Sequence, residues 1–82
     1  MRVIAELPHP ECKITIFGMN GKYIIKCEKG TFEQTYKISE ADITGGINGL
    51  FQLLDEEFLG LVSKRFDGMR DDFRAAYMRF DS

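Results

Sequence analysis

Only two cysteines, Cys12 and Cys27, occur in the chain, too few for a disulfide framework, and in a reducing compartment both stay thiols. The first residues, Met1 to Glu11, lack a basic stretch followed by an apolar run, so no signal peptide is expected there. No window approaches the length of a membrane span. A cytoplasmic protein with no membrane partner is the expectation. Positive charge is also in short supply: a formal net charge of −2 with 29% charged residues excludes the strongly basic class that binds duplex nucleic acid non-specifically. Internal repeats, linkers and low-complexity segments are missing as well, and a single domain over residues 1–82 follows.

What is present is apolar and aromatic. Apolar residues make up 44% of the 82 positions and seven of them are Phe. A chain this short sits near the lower limit for burying an adequate core, so a core shared with a second copy is plausible from the outset. Charge is divided unevenly. Residues 12–38 carry five lysines against two glutamates, whereas residues 39–82 carry nine acids against five bases.

From Cys12 to Gly18 apolar and polar residues alternate, the pattern of a half-buried strand. Asn20-Gly21 follows, the strongest short hairpin signal, because both residues tolerate positive φ. A two-residue loop pairs Met19 with Lys22. Counting outward sets Ile16 opposite Ile25 and Ile14 opposite Cys27 on one face, and Phe17 opposite Ile24, Thr15 opposite Lys26 and Lys13 opposite Glu28 on the other. One face is apolar and the other carries complementary charge, as a correct register requires. Lys29-Gly30 marks the next turn, from which Cys27 is expected to face Phe32, Ile25 to face Gln34 and Tyr23 to face Tyr36. Val3 to Leu7 alternates too, with Val3, Ala5 and Leu7 on one side, and is a candidate fourth strand ended by Pro8 and Pro10.

Ser39 to Asp42 resembles a helix-start box, but Gly45, Gly46 and Gly49 favour a turn before the regular helix, which begins between Gly46 and Leu50. Ile47, Phe51, Leu54, Phe58 and Leu61 recur at helical spacing. A second stripe, Leu59, Val62, Phe66, Met69, Phe73, Ala76 and Phe80, runs at heptad spacing, displaced by about 100° at 3.6 residues per turn. Gly60 sits at the displacement, where either the helix breaks or its apolar face is very wide. A continuous helix over 47–80 would be about 50 Å long, against roughly 24 Å for strands of seven residues. The sheet cannot cover such a helix. The expected fold is therefore α+β: a three- to four-stranded antiparallel meander (about 2–38) followed by one long or two consecutive C-terminal helices (about 47–80). The end of the helical region must fold back or lie against another molecule.

Catalytic and metal-binding readings find little support in these residues. His9, Cys12 and Cys27 are good zinc ligands, but a fourth is missing, and small core thiols beside a loop histidine account for them. The acids Asp55, Glu56 and Glu57 point in different directions on a helix and suit a solvated face. A His9–Cys12 dyad lacks an orienting group and an oxyanion stabiliser. The glycines before the helix match neither a Rossmann fingerprint nor a Walker loop. Neither catalysis nor a cofactor or metal is expected.

Two surfaces suit partners. The stripe Leu59, Val62, Phe66, Met69, Phe73 and Phe80 is suited to the core of a helical pair, a dimer seam or a groove-filling helix. The outer sheet face interleaves Lys13, Lys22, Lys26 and Lys37 with Phe17, a surface type on which unstacked bases lie while lysines reach phosphates. Only one aromatic and no arginine stand on that face, so a solvated face with the ion pairs Lys13–Glu28 and Lys26–Glu33 is favoured. The expected function is a non-catalytic interaction module that self-associates through its C-terminal helix, with weak single-stranded nucleic-acid binding as the alternative.

Overall fold

A computed structural model of the chain describes all residues, Met1–Ser82. The fold is α+β. Four antiparallel strands, β1 (Arg2–Leu7), β2 (Lys13–Met19), β3 (Lys22–Lys29) and β4 (Phe32–Ser39), form a meander in the order β1-β2-β3-β4. A 3-10 turn over Glu40–Asp42 leads to two helices, α1 (Gly46–Leu53) and α2 (Glu56–Asp81). Both helices pack on one face of the sheet. There Ile14, Ile16, Tyr23, Ile25 and Cys27 meet Leu50, Leu54, Val62 and Phe66 in a single core. No helix is long and apolar enough to cross a membrane.

The first hairpin follows its turn chemistry. Asn20 and Gly21 both take positive φ, 52° and 73°, as a type I′ turn demands. Met19 pairs with Lys22 and the register runs unbroken to Lys13 opposite Glu28, as the alternation requires. The second hairpin turns later than expected. Gly30 is the positive-φ residue, so the two-residue loop is Gly30-Thr31 and Lys29 pairs with Phe32. Cys27 therefore pairs with Gln34, Ile25 with Tyr36 and Tyr23 with Ile38, two residues away from the expected partners. A slip of two preserves the face of every side chain, which is why the inner and outer assignments survive the change of partner.

Val3–Leu7 is indeed part of a fourth strand, but not in uniform alternation. The register shifts between Val3 and Ala5. The bulge at Ile4 sends Val3 to the outer face opposite Phe17 while Ala5 and Leu7 stay inside opposite Ile16 and Ile14. Ile4 lies over Gly18, where a Cβ would come within 2.6 Å of its side chain. Glycine at position 18 is what lets the bulged residue turn inward.

The helical region breaks at Leu54–Asp55, not at Gly60. Leu54 leaves helical geometry with ψ 61°, and the Asp55 carboxylate accepts a hydrogen bond from the Phe58 amide at 2.8 Å, capping α2. Asp55, Glu56 and Glu57 thus begin a helix, with negative charge at its positive dipole end, and all three are exposed to solvent as expected. Gly60 lies inside α2 in open space. The break divides the first stripe: Ile47 lies in α1 and Leu54 caps its end, whereas Phe58 and Leu61 lie in α2 with Val62, Phe66 and Met69, and Leu50 takes the core position expected of Phe51, which is exposed. At the entry to α1 the backbone of Gly49 approaches the Thr44 carbonyl so closely that no Cβ fits.

A buried polar bridge fixes α2 to the sheet. Gln34, 7% exposed, donates through Nε2 to the Val62 carbonyl at 2.9 Å and accepts from the Tyr36 hydroxyl at 2.7 Å. The amide has one partner on the helix and one on the strand, and no buried side-chain polar atom lacks a partner. A hydrogen bond of this kind is directional where apolar packing is not, so it sets the position of α2 along β4.

Candidate interaction surfaces

Helix α2 has 26 residues, about 39 Å at 1.5 Å per residue, and strands of eight residues reach about 26 Å. The long dimension of the molecule, 51 Å against 26 and 19 Å, reflects that mismatch. Val62 and Phe66 are 1% and 2% exposed, and Leu59 and Met69 pack partly buried against the same core. These four residues of the expected partner stripe are thus occupied inside the chain. Past Met69 the cover ends. Every residue from Arg70 to Ser82 is exposed.

Phe73 makes one edge-on contact with Phe32, centroids 5.9 Å apart, yet stays 64% exposed. Tyr77, Met78 and Phe80 are 58%, 61% and 85% exposed. At 100° per residue Phe73, Tyr77 and Phe80 fall on the arc of Val62 and Phe66. The core-facing stripe therefore continues beyond the sheet as an uncovered aromatic face. Of the residues expected to form a seam, Phe73 and Phe80 are the ones left open.

Beside the start of α2 lies an apolar groove of about 410 Å3, lined by Tyr36 and Ile38 of β4 and by Leu53, Leu54, Phe58 and Leu61. Leu53 and Leu61 are about half exposed on its rim, and Tyr36 stacks edge-on to Phe58 at 5.2 Å. Lys37, Asp55 and Glu57 stand around it. Leu61 was expected within a buried stripe, but it faces this opening because the break at Asp55 rotates α2 relative to α1.

The outer sheet face has no covering layer, yet its centre is not open. Ile24 and Thr15 are 7% and 4% exposed, shielded by their cross-strand neighbours: Phe17 and Lys37 flank Ile24, and Glu6 and Lys26 flank Thr15. Phe17 is itself half-buried. Lys26 pairs with Glu33 at 3.8 Å, as expected. Lys13, in contrast, pairs with Glu6 of β1 at 3.8 Å and not with Glu28, because β1 brings a second carboxylate to its other side. Of the lysines proposed for nucleic acid, Lys13 and Lys26 are thus engaged, while Lys22 and Lys37 have no carboxylate partner.

His9 Nδ1 accepts from the Glu11 amide at 3.1 Å and lies 3.8 Å from Cys12 Sγ, but no set of three or more metal-ligating side chains converges. Burial pushes the Cys27 thiol up to about 11 and raises that of Cys12 as well. Both are poor thiolate nucleophiles, and Cys27 is fully enclosed. Compared with known proteins, the chain matches no family model, and neither a curated protein nor a solved structure is significantly similar to it.

Proposed function

We propose that the chain is a non-catalytic interaction module that self-associates through the C-terminal half of α2. The observation that supports this reading is the continuation of the core-facing stripe, as Phe73, Tyr77 and Phe80, past the end of the sheet that covers its first half. A contiguous aromatic face without cover is unfavourable in water and is the kind of surface that marks an interface. Self-association is the economical solution because it buries two such faces at once.

Sedimentation equilibrium tests it. The wild-type chain is expected to show a dimer mass, and Phe73→Glu with Phe80→Glu to return it to a monomer with an unchanged circular dichroism spectrum. A wild-type chain that stays monomeric up to about 1 mM, the weak limit of specific association, overturns the reading. The nucleic-acid reading is the weaker one, since Glu6 and Glu33 already occupy two of its lysines. Salt-sensitive binding of a single-stranded oligonucleotide that is lost in Lys22→Glu with Lys26→Glu would promote it.

A further inference from the structure

The free half of α2 holds its unpaired charges beside its aromatic face. Asp72, Arg74, Arg79 and Asp81 are all exposed, and none takes part in an ion pair within the chain, whereas Arg70 is held by Asp67 and Asp71. At 100° per residue Phe73, Ala76, Tyr77 and Phe80 form one apolar face, and the four free charges flank it. Arg74 and Asp81 stand about 110° and 90° from its middle on one side, and Asp72 and Arg79 about 90° and 110° on the other. Each flank therefore holds one cation and one acid.

The sheet dictates how a second copy can meet that face. It lies under the first half of α2 on the same side of the helix, so a parallel partner would drive its own first half through the sheet. In an antiparallel partner the two sheets lie at opposite ends and only the free halves overlap. A two-fold axis across the helices then brings like flanks together: Arg74 faces the other copy's Asp81 and Asp72 faces its Arg79, each pair occurring twice. Antiparallel alignment also opposes the helix dipoles favourably.

Three features agree on one register. Setting Phe73 opposite the other copy's Phe80 puts Ala76 opposite its Tyr77, a small side chain against a large one. Each Asp then lies two residues, about 3 Å along the axis, from the Arg it faces, within reach of a long side chain. The sheet ends at the same level, since β4 starts at Phe32, whose ring meets Phe73 edge-on at 5.9 Å. Phe80 of the other copy completes a cluster of three rings there. A deeper overlap would run its helix into the turn at Gly30-Thr31, and a shallower one would leave Phe73 uncovered. Aromatic side chains bury about 150–250 Å2 each, so the three rings of each copy with their flanks bring the total to about 1,000 Å2, the lower bound for a specific interface. The dimer is expected to be weak and concentration-dependent.

We infer that the partner is a second copy of this chain, paired antiparallel through the aromatic face itself, with Phe73 against the other copy's Phe80 and with Arg74–Asp81 and Asp72–Arg79 ion pairs between copies. The inference rests on the self-association proposed above and specifies its register.

Charge exchange tests the register separately from the association. In sedimentation equilibrium, Arg74→Glu and Asp81→Arg should each weaken the dimer about fivefold, since each turns two attractive contacts into two repulsive ones, and the double variant should return to within about twofold of wild type. Asp81→Arg places a cation at the C-terminal end of α2, where it favours the helix, so weaker association there does not come from lost helix. Leu61→Glu, on the rim of the groove beside the start of α2, should leave the dimer unchanged. All these variants alter exposed side chains, so the fold is expected to be retained and circular dichroism verifies it. A dimer that Phe73→Glu with Phe80→Glu dissociates, but that ignores the single exchanges or is not restored by the double, keeps the self-association and overturns this register. Dissociation by Leu61→Glu also overturns it, by placing the aromatic tail in the groove. A wild-type monomer overturns both the register and the self-association.

Discussion

The two halves of α2 are alike in sequence and opposite in circumstance. Glu56–Met69 and Arg70–Asp81 share the same three-and-four repeat of large apolar residues. In the first half that repeat is enclosed by the sheet and in the second it is open to water. Periodicity thus identifies a face that must be covered, while what covers it is decided by the length of the neighbouring element. Four strands of six to eight residues supply cover for little more than half of a helix of 26. A helix shorter than about 12–15 residues is marginal alone, so the free half, Arg70–Asp81, depends on propagation from the seated half and on whatever it meets.

The sharpest way to break the comparison is to truncate one aromatic in each half. Phe66→Ala leaves a cavity in the core beside Val62 and should cost about 3–5 kcal/mol in urea unfolding, enough to threaten folding in a domain this small. Phe80→Ala, measured on dilute protein, should fall within about 0.5 kcal/mol of wild type, because its ring is already in water. Equal costs at low concentration would mean that the second half is seated within a single chain, and the contrast between the halves would vanish.

A smaller effect separates packing from positioning in the seated half. Gln34→Leu puts an apolar side chain of similar size in its place and leaves the Val62 carbonyl and the Tyr36 hydroxyl without the partner they share. A loss of about 1–3 kcal/mol is expected, again from urea unfolding. A neutral or stabilising result would show that α2 is held by apolar contact alone and that its placement on β4 needs no polar bridge.

Much of this was legible in the residues. Asn20-Gly21 specified the first hairpin to the residue, since one turn type suits that pair, and alternation assigned the faces of β2, β3 and β4. The second hairpin was harder because Lys29-Gly30-Thr31 allows more than one loop, and a slip of two changes no face and so leaves no trace in the pattern. The bulge at Ile4 was hidden for the opposite reason: it reverses the face of Val3, but Val3 and Ile4 are equally apolar. The helix break was visible as a capping residue, Asp55 followed by two acids, and was masked by the stronger breaker signal of Gly60. The groove was not legible at all, because it depends on where Asp55 ends one helix and starts another. The open seam was legible from the mismatch between helix and strand lengths, but the point where cover stops, after Met69, depends on how far β4 extends under α2.

Gly60 and Gly68 give the finest test of that seam. Each lies on the exposed side of α2, and a Cβ at either position meets nothing within the chain. Glycine in a helix interior costs about 0.5–1 kcal/mol relative to alanine, so Gly60→Ala and Gly68→Ala should stabilise dilute protein equally and by about that amount. Both point away from Phe73, Tyr77 and Phe80, by about 130° for Gly60 and about 145° for Gly68 at 100° per residue. Alanine at either position should therefore leave self-association through the aromatic face at least as strong as in wild type, as read by sedimentation equilibrium. Were either substitution to weaken the dimer, the second copy would sit on that side of α2 and not on the aromatic face.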